Sequence, residues 1–109
     1  MPGPSKIEKL KSKPFSIEIS WEPNKNIEGV HSYIVRWINA KTLKEEAVVS
    51  TKKGITQAYS GEKLFSGTLY RVEVQGIRNF SRFEKNTETK FEFFRTSYFF
   101  ICYVIQLRN

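Results

Sequence analysis

The 109-residue chain contains no aspartate; all eleven acidic residues are glutamate. It has one cysteine, Cys102, and one histidine, His31. Each shortage removes a class of chemistry. Without aspartate there is no Ser-His-Asp triad, no aspartyl dyad, no EF-hand loop and no Arg-Gly-Asp tripeptide. One cysteine cannot close an intramolecular disulfide, and one cysteine and one histidine far apart make a poor metal-ligand set. Glu28 lies near His31, but that proximity alone supplies neither a nucleophile nor an oxyanion hole. The expectation is no catalysis, no metal and no cofactor. Long apolar runs are also scarce. The longest, Tyr98 to Leu107, has ten residues with Cys102 and Gln106 inside it, half of the roughly 20 that a helix needs to cross a bilayer. The opening Met1-Pro2-Gly3-Pro4-Ser5-Lys6 lacks the apolar core of a secretory signal. No signal peptide and no complete membrane span are expected in this chain.

What is present is strand-like. The length suits one domain with one core. No internal repeat or low-complexity tract interrupts it. Phe15, Ile17, Ile19 and Trp21 alternate with Ser16, Glu18 and Ser20, the period of a strand with one buried face. Glu22-Pro23-Asn24-Lys25-Asn26 ends that run with turn formers. Further alternation sets Tyr33, Val35 and Trp37 against Ile34, Arg36 and Ile38, and Tyr70, Val72, Val74 and Gly76 against Arg71, Glu73, Gln75 and Ile77. Thr87 to Arg95 is less regular, with Phe91 and Phe93 on one face. Weaker segments lie at Ile7–Leu10, Glu45–Ser50 and Gly54–Tyr59. About seven short strands with turn signals at regular spacing, and no 3.6-residue apolar stripe, argue an antiparallel sandwich or small barrel.

Three motifs go further. Ile17-Glu18-Ile19-Ser20-Trp21-Glu22-Pro23 ends a strand in tryptophan; Tyr33-Ile34-Val35-Arg36-Trp37 follows; Leu64-Phe65-Ser66-Gly67-Thr68-Leu69-Tyr70-Arg71-Val72-Glu73-Val74-Gln75-Gly76 leads into a later strand. The chain resembles the fibronectin type III family, whose members carry the same tryptophan, the Tyr-x-Val-x-aromatic strand and Leu-x-Pro-Gly-Thr-x-Tyr-x-Val-x-Val-x-Ala. The resemblance covers residues 4–95, leaving 1–3 and 96–109 outside the domain. It implies an all-β, seven-strand antiparallel β-sandwich of immunoglobulin-like type, with strands one, two and five in one sheet and three, four, six and seven in the other. Trp21, Tyr33, Val35, Val72 and Val74 would fill the core and Leu64 would plug its end. Gly67 would take a turn conformation that a Cβ strains. Tyr70 would be a corner tyrosine, its hydroxyl bonded to backbone just upstream. Ser66 replaces the family's usual proline, and Gly76 its common alanine.

The resemblance implies a non-catalytic protein-interaction or adhesion module, a fragment or isoform of a larger extracellular or cell-surface receptor-like protein. Two places would serve a protein partner. One is the sheet face bearing Ile34, Arg36 and Ile38, where three exposed isoleucines, Ile77 included, make a partly apolar surface. The other is the last loop with Arg78, Phe80, Arg82, Phe83 and Lys85, a mixture of arginine and aromatics of the kind that forms binding hot spots. Phe80 and Phe83 serve equally well as caps on the core. Asn79-Phe80-Ser81 is also a glycosylation sequon, and a glycan on Asn79 would block that loop.

The charge of +7 suggests an alternative, a heparin-like polyanion or anionic lipid. Lys6, Lys9, Lys11 and Lys13 crowd the first thirteen residues against one glutamate. In an edge strand positions 9, 11 and 13 would form a lysine row, which also protects an edge from other strands. The loop at 78–85 would add to it. No groove-reading or base-stacking motif accompanies the charge, so no specific nucleic acid is expected. The apolar tail 96–109 has three readings: a truncated membrane span, an added element packing on the domain, or the end of a truncated or alternative product. Membrane contact is expected only under the first.

Overall fold

A computed structural model describes residues 6–23, 30–78 and 89–99 of the chain. Seven strands form among them: β1 (Lys6–Ser12), β2 (Ile17–Glu22), β3 (Val30–Asn39), β4 (Glu45–Ser50), β5 (Gln57–Tyr59), β6 (Leu69–Arg78) and β7 (Thr89–Arg95). They make a three-stranded sheet in the order β1-β2-β5 and a four-stranded sheet in the order β4-β3-β6-β7. All pairings are antiparallel. This is the division of strands expected from the motifs.

The core forms where the alternating runs face each other. In register, Val35 sits between Val49 and Val74, and Trp37 between Ala47 and Val72. Ile19 pairs with Ala58 and Trp21 with Ile7 on the opposite sheet. Ile17, Ile19, Val35, Trp37, Tyr70, Val72 and Val74 are fully buried. The Trp21 ring meets Tyr33 edge-on, with centroids 5.0 Å apart, a favoured aromatic geometry. Burial pushes the Tyr33 phenol above its ordinary pKa, with the Trp21 indole acting in the opposite sense.

Leu64 and Tyr70 close one end. The Tyr70 hydroxyl accepts from the Phe65 N–H at 2.8 Å and donates to the Glu46 carboxylate. Glu46 reaches it because β4 carries one extra residue there: Trp37 pairs with Ala47 but Ile38 with Glu45. Such a bulge re-aims a side chain. The other Glu46 oxygen takes the Asn39 amide at 3.2 Å. The Asn39 side-chain Oδ1 in turn accepts the N–H groups of Lys41 and Thr42 in the β3–β4 turn.

Gly67 holds φ +55°, and a Cβ there would lie 2.5 Å from the Tyr98 ring. It therefore needs glycine twice, for the left-handed backbone and for the close approach. Where the family has proline, the Ser66 carbonyl accepts the Thr68 hydroxyl at 2.8 Å, so a side-chain bond shapes the turn. Past Arg95 the chain keeps bonding to the 64–70 loop and to Lys13. Thr96 is buried and bonds Phe65 and Thr68 through its hydroxyl. The Ser97 N–H reaches the Lys13 carbonyl and its carbonyl takes the Gly67 N–H. Phe99 lies against Phe15, with centroids 5.2 Å apart. Residues 96–99 thus lie against the sandwich; the rest of the tail lies outside the described residues.

Burial, and then the bond to Glu46, hold the Tyr70 phenol well above its ordinary pKa. The stability this adds is complete below the unfolded value of about 10 and is lost as pH rises past it toward the folded value. Tyr70→Phe should lower unfolding free energy by about 1–3 kcal/mol and flatten the alkaline decline, read from urea midpoints at neutral pH and above pH 10. Gly67→Ala should cost at least about 1–2 kcal/mol from backbone conformation alone. Adding Tyr98→Ala should remove the steric part of the Gly67→Ala cost and leave the conformational part.

Candidate interaction surface

The four-stranded sheet turns one face inward and one outward. Outward positions are Glu45, Val48 and Ser50 on β4, Ile34, Arg36 and Ile38 on β3, Arg71, Glu73, Gln75 and Ile77 on β6, and Phe91 and Phe93 on β7, as the cross-strand register requires. Ile34 and Arg36 are half-buried there, as is Ile77. Ile38 is not exposed: only 9% of it is accessible. It pairs with Glu45 and Arg71, two long side chains that flank it. The expectation of three exposed isoleucines is therefore corrected.

The exposed apolar surface comes from other strands. Val48, Phe91 and Phe93 are each about half exposed. Phe91 and Phe93 meet edge-on at 5.8 Å, and the Arg71 guanidinium lies 5.7 Å from the Phe91 ring centre, within cation–π range. Glu73 holds Arg71 from the side at 2.9 Å. Arg36 donates to Gln75 at 2.8 Å and pairs with Glu45 at 3.2 Å. The face thus presents two half-exposed aromatics in contact, a valine and two arginines held by neighbours. Exposed pairs of this kind stabilise little, but fixed side chains lose less freedom when a partner docks.

Sequence reasoning placed Phe91 and Phe93 on one face without making them binding candidates. The signal was present but ambiguous. In Phe91-Glu92-Phe93-Phe94 either parity puts phenylalanine on both faces, and only register decides. Phe94 pairs with Tyr70 and packs on the core, while Lys90 and Glu92 share the inward parity of Val74 and Val72. Phe94 is thus the inward aromatic of this strand, while Phe91 and Phe93 face outward.

The N-terminal lysines do not form a row. Lys9 pairs with Ile19 but Lys11 with Glu18, with Leu10 as the extra residue. The bulge puts Lys9 on the inward parity and Lys11 on the outward one, so strict alternation across 9, 11 and 13 is lost. Lys6 pairs with Glu8 at 3.2 Å. Lys11 and Lys13 line an open cleft of about 260 Å³ with Ser16, Glu18 and Tyr59. Tyr59 donates to Glu62 at 2.5 Å; that bond raises the phenol's pKa and lowers the carboxyl's. The cleft therefore mixes both signs. Phe80, Arg82, Phe83, Lys85 and the Asn79 sequon lie outside the described residues, and Arg78 enters only as a backbone position in β6. Among the described residues no group of three or more His, Cys, Asp or Glu is placed to hold a metal, and no helix is long and apolar enough to cross a membrane.

No protein-family model and no curated protein matches the chain. Solved structures do. A fibronectin type III domain of the human collagen alpha-1(XX) chain is 15% identical, with TM-score 0.73 over 90% of this chain and 83% of that one. A two-domain fibronectin type III segment from chicken tenascin is 22% identical, with TM-score 0.72 over 88% of this chain and 50% of that one. A computationally redesigned β-sandwich protein is 15% identical, with TM-score 0.71 over 91% and 93%. The fold is the fibronectin type III sandwich.

Burial separates the three phenylalanines of β7. Phe91→Ala and Phe93→Ala should each cost less than about 1 kcal/mol of stability, near the range of surface substitutions. Phe94→Ala should cost about 2 kcal/mol or more, toward the range of core truncations. Chemical denaturation of the three variants reads the order.

Proposed function

We propose that the chain is a non-catalytic protein-interaction module that docks a protein partner on the outer face of its four-stranded sheet, within a larger extracellular or cell-surface receptor-like protein. The observation that carries this reading is the exposed Phe91–Phe93 pair beside Arg71, with Arg36 and exposed Val48 further across the same face. Aromatics and arginine with little remaining freedom are the usual anchors of an interface. A rigid sandwich core behind them supports the face. The fold alone does not choose the partner.

The alternative, a polyanion-binding module using Lys6, Lys9, Lys11 and Lys13 with the basic stretch 78–85, is less favoured. The bulge separates Lys9 from Lys11, and Glu18 shares the cleft with Lys11 and Lys13. Dispersed lysines beside glutamates hold a sulfated chain weakly.

One experiment separates the two. The purified chain is passed over immobilised heparin and over an array of extracellular domains at two salt concentrations. Protein docking should survive salt and fall at least tenfold, roughly 1.4 kcal/mol, for Phe91→Ser/Phe93→Ser. Both variants should remain folded by circular dichroism. Heparin retention that falls steeply with salt and is abolished by Lys11→Glu/Lys13→Glu, with no protein ligand lost in the phenylalanine variant, would overturn the sheet-face reading.

A further inference from the structure

β7 is the last strand of its sheet; β1 of the other sheet packs against it, with Ser12 at Arg95. Its free backbone groups can be assigned. The Thr96 N–H bonds the Thr68 carbonyl, so even-numbered residues turn their groups toward β6. The odd ones turn away. The Arg95 carbonyl takes the Ser12 hydroxyl at 2.7 Å, and the Phe93 N–H turns to the Glu92 carboxylate at 3.3 Å. By the alternation of an antiparallel ladder, Phe91 and Thr89 also face the open edge.

An open edge of this kind accepts another strand. The order of its side chains selects which. Lys90 and Glu92 stand on either side of Phe91 on the inward parity. Inward charges at an edge ordinarily deter foreign strands. An antiparallel copy centred on Phe91 is the exception. It sets Lys90 opposite Glu92 twice, Phe91 opposite Phe91, and Phe93 opposite Thr89. In that register Thr89, Phe91 and Phe93 are hydrogen-bonded pairs, the residues whose backbone groups turn away from β6. The arrangement is closed by a two-fold axis and so cannot propagate into a fibre.

We propose that β7 is a homotypic docking edge, joining a second copy of this chain antiparallel about a two-fold axis at Phe91, so that two four-stranded sheets become one of eight strands. The Glu92 carboxylate leaves its own Phe93 N–H for the partner's Lys90, and the vacated N–H bonds the partner's Thr89 carbonyl. This goes beyond the sheet-face reading, which needs no self-association. The joined faces bring the Phe91 and Phe93 pairs of both copies side by side.

Sedimentation equilibrium of the full 109-residue chain tests it. The wild type should show a reversible monomer–dimer equilibrium. Glu92→Lys sets like charges opposite each other and should weaken dimerisation at least tenfold. The exchange Lys90→Glu/Glu92→Lys restores complementarity and should restore the dimer, which a merely structural role for these residues would not do. In a Cys102→Ser background, Phe91→Cys should cross-link to itself on oxidation, since opposed hydrogen-bonded residues have Cα atoms about 5.5 Å apart, within disulfide reach. Val48→Cys, on the far edge strand, should not. A wild-type chain that stays monomeric to about 1 mM, a charge exchange that fails to rescue, or cross-linking at Val48 as readily as at Phe91 would overturn the proposal. None of these outcomes touches heterologous binding, whose loss in Phe91→Ser/Phe93→Ser is read separately.

Discussion

The Tyr70 side chain ties together more of this molecule than any other group. Its ring fills the core between the sheets, and its hydroxyl joins the 64–70 loop to the bulge in β4. Through Glu46 it reaches Asn39 and so the β3–β4 turn. Beside it, Thr96 and Ser97 bind the same loop from the end of β7. A buried phenol stays favourable only while both its bonds are made. The loop, the bulge and the end of β7 are therefore fixed together.

That fixed end sets the geometry of the outer face. The bulge that brings Glu46 to Tyr70 also changes the partner of Ile38 to Glu45. A polar tie at the core's edge and the covering of an isoleucine on the outer face have one cause. Further along the sheet, β7 follows β6 without a break in register, and this commits Phe91 and Phe93 to the outside. The aromatic cluster proposed as an interface is thus a consequence of where the corner starts the last two strands.

Much of the sandwich was legible in the residues. Ile17, Ile19 and Trp21, Tyr33, Val35 and Trp37, and Tyr70, Val72 and Val74 alternate so regularly that burial of one parity fixes each strand. Leu64, Gly67 and Tyr70 marked the corner through the close match of their spacing to the fibronectin type III pattern. The candidate site was legible only in part. Arg36 and Ile34 lie on the outer face, but Ile38 does not present there, and Val48, Phe91 and Phe93 carry the apolar surface instead. The lysine row failed because one extra residue, Leu10, interrupts the alternation that would have made it.

The sequence by itself determined which segments pair as strands and which residues the core takes. Period-two alternation is local, and the cost of exposing the apolar parity enforces it. Tertiary structure alone decided what the surface offers. A bulge, a strand's place at a sheet edge and the parity of a strand apolar on both faces depend on the neighbouring strand's register. That register is settled by non-local packing around Tyr70, Trp37 and Val72. Hence the core could be read along the chain, whereas the aromatic face and the open edge of β7 emerged only when the strands were set side by side.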